Sequence, residues 1–429
     1  MKVDRIKRRN IELKFDGGNL TSDSGLHLIK MADDKISLTR KLAKIFPDPR
    51  DQSKVIHSLE SMFKQRIFGL AAGYEDLNDH EFLRKDVAFQ TAANCDSDMA
   101  GDSTLSNFEK WANRDFAISA HKIFFDNFTN SYDYTPTHLI FDFDGSDSEI
   151  FGQQEGRYYQ KYYGSYCYLP LYVYCGDQLL VAYLRPSHRH GAHHAAAILK
   201  ILVREVRKKW PNVRITFRGD SAFQKPHLYS WCERNDVTYV TGIIGNKRLK
   251  RKAKKQIKKA KRYFDSSEEP SKIFGQFHYQ ADSWSSSRKV IVKAEHNEKG
   301  ANTRYLVTNM RGTPEEIYND KYCPRGDMEN RIQETQRALF ADRVSSMRFD
   351  GNQLRMILSA AAYILMNVIK QICLVKKGKN ALRVDSIRNR FLKVAAVITK
   401  NTRRITFHLP SNYPYKKDLL DMIVSLAPT

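Results

Sequence analysis

The chain is 429 residues long, 41% hydrophobic and 11% aromatic, which is enough apolar surface to bury sizeable cores and to exclude global disorder. Lys and Arg number 71 against 48 Asp and Glu, a formal net charge of +23 that points to a polyanion, with nucleic acid the first candidate and a membrane surface the second. The membrane signals fail: residues 356–366, bounded by Arg355 and Lys370, are too few for the ~20 a bilayer span needs, so a buried core helix and no membrane partner are expected. The N-terminal MKVDRIKRRNIELKFD has no apolar signal region, so no secretory leader is expected. Six scattered cysteines without a CxxC pair suggest reduced structural thiols rather than a zinc site or a disulfide framework.

In chain order, the first ~135 residues read mostly as helices. Thr21 and Ser22 are N-cap types before LHLIKMA, SKVIHSLESMFKQRIFGLAAG has helical apolar spacing, and Ser103 or Thr104 precedes a helix carrying Leu105, Phe108 and Trp111. A compact helical domain with a basic surface follows, with a helix-turn-helix among its options. From His138 the texture changes. HLIFDFDGS, CYLPLYVYC and LLVAYLRP read as strands, then AHHAAAILKILVREVRKKW as a helix, VRITFRGDS as a strand, PHLYSWCERND as a helix and VTYVTGII as a strand. Hairpin strands followed by alternating helices and strands predict a mixed sheet with helices on its faces, an α/β class. After Gly245 come a basic helix and three strand-like runs, IFGQFHYQ, KVIVKAEH and TRYLVTNM, then helices again from Pro314.

Phosphodiester chemistry on metal ions needs a small group of carboxylates, because Mg²⁺ is hard and seeks oxygen. Three places supply them. Asp142 and Asp144 end the first strand, and strand alternation puts both on one face; a solvated strand-end turn would look the same. Asp220 follows VRITF at the carboxyl end of its strand, where open sheets place sites; a turn or N-cap Asp is the bland alternative. Tyr322, Arg325 and Glu329 lie in a helical context with Arg and Glu four apart on one face, a spacing that equally describes a surface ion pair.

Taken together these residues resemble the DDE transposases of bacterial insertion sequences, in the branch marked by a Y-x2-R-x3-E-x6-K signature. Tyr322, Arg325 and Glu329 occupy its slots, the strand-end Asp-Gly-Ser supplies Asp144, and RGDSAF supplies Asp220. LTSDSGLHLI, GQQEG and SNYPYK also resemble family landmarks, so the likeness covers nearly the whole chain. One departure stands out: Gln336 occupies the place of the signature's lysine, which moves or weakens a phosphate contact, with Arg337 next to it.

The resemblance implies a ribonuclease-H-like catalytic core with a β-rich insertion and helical N- and C-terminal parts. On that basis 1–135 is a DNA-binding region, 136–245 the first part of the core, 246–312 the basic helix and insertion, 313–376 the rest of the core with the glutamate helix, and 377–429 a C-terminal region. It implies Asp144, Asp220 and Glu329 as catalytic metal ligands, with Asp142 a further candidate ligand. It also implies Mg²⁺ with Mn²⁺ as substitute, and Tyr322 and Arg325 on phosphate. The reaction would be hydrolysis at the element's ends and attack of the 3′-hydroxyl on target DNA, with no covalent protein–DNA intermediate. The partners would be double-stranded DNA, as terminal inverted repeats and target, and a second copy of the chain on that DNA. The place of action would be the bacterial cytoplasm at the nucleoid.

Residues 247–262 hold eleven Lys or Arg in sixteen positions, with Leu249, Ala253, Ile257, Ala260 and Phe264 at helical spacing. Lys247, Arg248, Lys250, Arg251, Lys254, Lys255, Lys258, Lys259 and Arg262 are therefore candidate phosphate contacts; a solvated charged face is the alternative. His188, His190, His193 and His194 in SHRHGAHHA could bind Zn²⁺ but read better as a polar loop. The run RYYQKYYGSYCY interleaves aromatics and bases in a way that suits either stacking on unpaired bases or strand packing. Trp284 could stack on a flipped base. Two other functions share these signals: a nuclease of the same fold that cuts without joining, and a catalytically inactive DNA-binding derivative, against which the three acids argue.

Overall fold

The computed structural model describes residues 2–6, 9–375 and 382–427. The chain divides into two compact units, Phe124–Gln333 and a second built from Met1–Ile123 together with Glu334–Thr429. The division is coarser than the five segments expected from the sequence, whose boundary at 376 lies outside the described residues. The reason is long-range. The strand Ala396–Lys400 pairs with Asn19–Thr21, and the helix Phe349–Ile369 packs on the helices Leu59–Ala72 and Leu26–Ile36, so the two ends of the chain build one core.

The unit Phe124–Gln333 is organised by eight strands: β1 (His138–Gly145), β2 (Leu171–Cys175), β3 (Gln178–Tyr183), β4 (Arg214–Gly219), β5 (Val237–Ile243), β6 (Ser271–Tyr279), β7 (Arg288–Asn297) and β8 (Gly300–Thr308). Their order in the sheet is β6-β7-β8-β5-β4-β1-β2-β3. β1, β4 and β5 are parallel, β2 is antiparallel to β1, and β3 to β2. Helix α1 (Ala195–Lys209) connects β3 to β4, and α2 (Pro226–Arg234) connects β4 to β5. The 3-2-1-4-5 order of the first five strands is the ribonuclease-H-like arrangement that the resemblance implied. Phe141, Phe143, Val173, Leu199, Val203 and Phe217 are wholly or almost wholly buried in its core.

The β-rich segment expected as an insertion is joined to the main sheet. β8 pairs antiparallel with β5, Val240 opposite Thr308 and Gly242 opposite Leu306, and β7 and β6 continue outward. Without β8, strand β5 would present an open row of N–H and C=O groups. β8 also carries apolar residues to both faces. Leu306 packs with Val240, Ile291 and Ile317, and Val307 joins Val290 and Val292 in the main core. The basic segment likewise forms two helices, α3 (Lys247–Lys252) and α4 (Lys254–Ser267), separated at Ala253. The Asn246 side chain caps the first by accepting from the Leu249 N–H at 2.9 Å.

In the other unit the helix Phe349–Ile369 has the length and composition of a membrane span, but 78% of its apolar window is buried inside the protein. That agrees with the core helix expected over 356–366. The first long helix starts at Leu26, where LHLIKMA begins, but Gly25 rather than Thr21 or Ser22 is its N-cap. The residues before it dock instead: Ser24 donates to the Val394 carbonyl through both N–H (3.1 Å) and Oγ (2.7 Å). Asp23 is buried, with the Lys393 ammonium at 2.8 Å and the Tyr74 hydroxyl donating at 2.8 Å. Gly25 lies so close to this partner segment that a Cβ there would fall 1.7 Å from the Phe391 carbonyl oxygen. The LTSDSG landmark is thus a joint between chain ends.

Gly25→Ala is expected to cost on the order of 3 kcal/mol, the upper end for overpacking a buried site. Chemical denaturation reads this as a lower midpoint, and an unchanged midpoint would show that the joint opens freely.

Candidate active site

The parallel pairing of β1 and β4 brings two acids to one edge. Gly219 stands opposite Phe143, so Asp144 and Asp220 are next in register at the carboxyl ends of neighbouring strands, roughly 5 Å apart in the backbone. The Asp220 carboxylate caps the turn Ser221–Phe223 by accepting from the Ala222 N–H at 2.9 Å. Glycines press this turn into place. A Cβ on Gly242 of β5 would lie 2.9 Å from the Ser221 nitrogen and 3.2 Å from the Tyr322 hydroxyl, and one on Gly219 would lie 2.9 Å from the Phe223 ring.

The third acid arrives on α5 (Gly326–Gln333), after a π-helical turn over Ile317–Tyr322 and a 3-10 turn over Cys323–Arg325. The sheet holds this segment at both ends. Arg218 donates to the Lys321 carbonyl at 2.6 Å, and Arg331 pairs with Asp177 at 2.7 Å while its carbonyl accepts from the Tyr174 hydroxyl at 3.3 Å. Met328 and Ile332 are buried, which leaves Glu329 on the exposed face.

Arg325 joins the acids. It donates to Asp144 Oδ2 at 2.7 Å and to Glu329 Oε1 at 2.8 Å, the second across one helical turn. Burial pushes the Asp144 carboxyl up to about 7; Arg325 pulls it down, and Asp220 and Glu329 push it further up. Burial also raises Asp220, against Arg325 and with Glu329. Tyr322 is raised by burial, and the Arg325 guanidinium lies 6.0 Å from its ring centre. Among the described residues no three His, Cys, Asp or Glu side chains close up into a metal-holding group. The donor set nevertheless suits a hard divalent cation: all three acids offer oxygen only, and a positive group already stands between two of them.

Asp142, a candidate ligand from the sequence, does not join this group. It is buried one pleat deeper and takes a bidentate pair from Arg218, through Nε and, at 2.7 Å, through Nη2. Both carboxylate oxygens are engaged, so its position is structural. Arg218 was not singled out in the sequence, although it precedes Asp220 by two residues as Asp142 precedes Asp144, and these strands pair in parallel. Gln336 is buried and Arg337 exposed, in the unit containing Glu334–Thr429.

The remaining candidates separate clearly. Every Lys and Arg of α3 and α4 is exposed, while Leu249, Ala253 and Ala260 are buried and α4 packs on β6 and β7. Among the described residues only Arg248 of this set pairs with a carboxylate, Asp282 at 2.7 Å. Trp284 is 7% exposed and packed edge-on against Tyr229 and Tyr279, so most of its surface is spent on the core although it borders the cleft. Tyr158, Tyr159, Tyr162 and Tyr166 project from a hairpin of Tyr158–Gln160 and Ser165–Tyr168. Asp144 and Asp220 line a cleft of about 780 Å³ whose walls include Tyr162, Tyr163, His190, Lys225 and Trp284.

Asp144 makes a test of this electrostatic balance. Its folded value lies above the unfolded one, so the folded state binds the extra proton, and ionisation costs stability as pH rises from about 4 to about 7. In a metal chelator, Asp144→Asn should therefore melt higher than the parent above pH 7. The gap should shrink as pH falls through that window. A gap independent of pH would mean that Asp144 is ionised at no cost.

No curated protein matches the chain. A solved structure of the piggyBac transposase in a synaptic complex with hairpin DNA aligns over 87% of this chain and 80% of its own, at 14% identity and a TM-score of 0.45. The family described as transposase DDE domain group 1 matches residues 3–429. The acids on two neighbouring strand ends and a following helix therefore sit in a chain that belongs to the DDE transposase family, and its function is that of a DNA transposase.

Proposed function

We propose that this transposase cuts the ends of a bacterial insertion sequence and joins them to target DNA by metal-dependent phosphodiester chemistry. The observation that carries the reading is the convergence of Asp144 and Glu329 on Arg325, with Asp220 beside Asp144 at the end of the neighbouring strand. Asp144, Asp220 and Glu329 would hold Mg²⁺, or Mn²⁺ in its place, which when bound activates the attacking hydroxyl and stabilises the leaving oxygen. Arg325, once its carboxylates are otherwise neutralised, offers a planar N–H fork to a phosphate. Tyr322 closes the same side of the site. Hydrolysis then leaves a 3′-hydroxyl whose oxygen attacks a target phosphorus and expels the target strand's 3′-oxygen, so no protein nucleophile is needed. Two ends must be processed together, which calls for a pair of chains on the DNA at the nucleoid.

The exposed cations of α3 and α4 provide the sequence-independent part of DNA binding. Their apolar stripe faces β6 and β7, so the charges turn outward and, among the described residues, lack neutralising carboxylates, Arg248 excepted.

Two measurements test this. Asp144→Asn, Asp220→Asn and Glu329→Gln should each abolish cleavage of an end-containing plasmid while retaining DNA binding; near-normal cutting by any one removes that residue from the set. Joined products from the parent protein distinguish transposition from cutting alone. Replacing Lys254, Lys255, Lys258 and Lys259 with Gln should weaken binding to all sequences and flatten its salt dependence by roughly 0.9 log units per lost phosphate contact. An unchanged slope would leave these lysines as solvated surface.

A further inference from the structure

The histidine-rich loop after β3 carries chemistry that neither the acids nor the basic helices use. His190 lies in it, and Lys225 stands at the start of α2, and both line the cleft that holds Asp144 and Asp220. His190 Nδ1 accepts from the Ala192 N–H at 3.0 Å. In the neutral ring the proton therefore sits on Nε2, which lies 3.1 Å from the Lys225 ammonium. Two donors face each other there, an arrangement satisfied by an oxyanion that accepts from both.

The surroundings favour an anion over a metal. Arg185, fully buried beneath the loop, donates to the carbonyls of Leu169, Gly191 and His193 at 2.6–3.0 Å and adds fixed positive charge. Burial, Lys225 and Arg185, in that order, hold His190 below the ordinary imidazole range. His188 and His194 are turned to other work, against Tyr158 and Tyr183. The hairpin bearing the exposed tyrosines is tied to the same loop: Gln160 donates to the Ser187 carbonyl at 3.0 Å, and Ser187 Oγ donates to the Tyr158 carbonyl at 2.8 Å.

We infer that His190 and Lys225 form a clamp for one phosphodiester of the DNA strand lying in this cleft, and so position the neighbouring scissile phosphate against Asp144 and Asp220. The inference rests on the transposase reading for its substrate, but the clamp itself is a property of the protein alone. The cleft's lining combines the acids Asp144 and Asp220 with the cations Lys225 and Arg185. A strand crossing it meets the acids at the reacting phosphate and the clamp at an adjacent one. His190 and Lys225 are thus positioning residues.

The test uses the full-length protein and begins without DNA. Inorganic phosphate, titrated into protein carrying ¹⁵N-labelled histidine, should move the ring resonance that His190→Gln removes, and Lys225→Met should abolish that response. With end-containing DNA, Lys225→Met should raise Kd about tenfold, the usual value of one charge-assisted contact, and lower the salt slope by roughly 0.9. Lys225→Arg should restore both. A neutral methylphosphonate beside the scissile position should impair the parent but not worsen Lys225→Met. A silent His190 ring together with an unchanged salt slope in Lys225→Met would overturn the clamp. A parent protein that binds phosphate at His190 yet never cuts DNA would instead overturn the functional reading and leave the clamp standing.

Discussion

Repulsion among buried like charges is the constraint on which this molecule's site depends. Placing Asp144 and Asp220 on adjacent strand ends and adding Glu329 from α5 creates a negative cluster that the low-dielectric edge of a sheet resists. The chain meets the difficulty twice on one strand face. At the deeper level Arg218 neutralises Asp142 with a closed, buried, bidentate pair. At the outer level Arg325 shares its guanidinium between Asp144 and the exposed Glu329. The inner pair is committed, because both Asp142 oxygens are engaged and Arg218 is also tied to the Lys321 carbonyl. The outer one is exchangeable, because half of it faces solvent. That difference in burial, rather than residue type, separates the structural aspartate from the catalytic candidate two positions on.

The same reasoning gives each residue of the RGDS segment a task. Arg218 holds Asp142, Gly219 admits the Phe223 ring at a distance no Cβ tolerates, Asp220 caps the turn with its carboxylate, and Ser221 presents its backbone to Gly242 of β5. Precision at the second acid therefore comes from close backbone packing between two parallel strands. Loop flexibility would spoil it, since a carboxylate displaced by 1 Å loses a ligand distance near 2.1 Å.

Much of this was legible in the sequence, because local periodicity survives folding. The strand ending in Asp144, the strand ending before Asp220, the i,i+4 relation of Arg325 and Glu329 and the apolar stripe of the basic helices are all short-range patterns. What was not legible depends on partners far away in the chain. The three strands after the basic helices read as an insertion, because nothing local says that β8 will complete β5. The N- and C-terminal segments read as separate regions, because the pairing of Asn19–Thr21 with Ala396–Lys400 spans almost the whole sequence. Trp284 was a candidate for stacking on DNA, and only its contacts with Tyr229 and Tyr279 assign it to the core. Arg218 could have been found: matching R-x-D and D-x-D patterns on two parallel strands place an arginine beside an aspartate.

A site that is acidic by necessity must still attract a polyanion, and the distribution of cations resolves the conflict. The Debye length at physiological ionic strength is about 8 Å, so on the proposed reading charges on α3 and α4 would draw DNA to the molecule but would not offset repulsion at the carboxylates themselves. That offset has to come from cations at contact range. Within the site's own unit Arg325 stands among the acids, and Lys225 and the buried Arg185 line the same cleft. The surplus of +23 thus works at two length scales. On the proposed reading the outer scale would set how fast and how strongly DNA is captured, and would tolerate changes in individual lysines. On the same reading the inner scale would set where a single phosphate comes to rest, and would depend on side chains held by named hydrogen bonds.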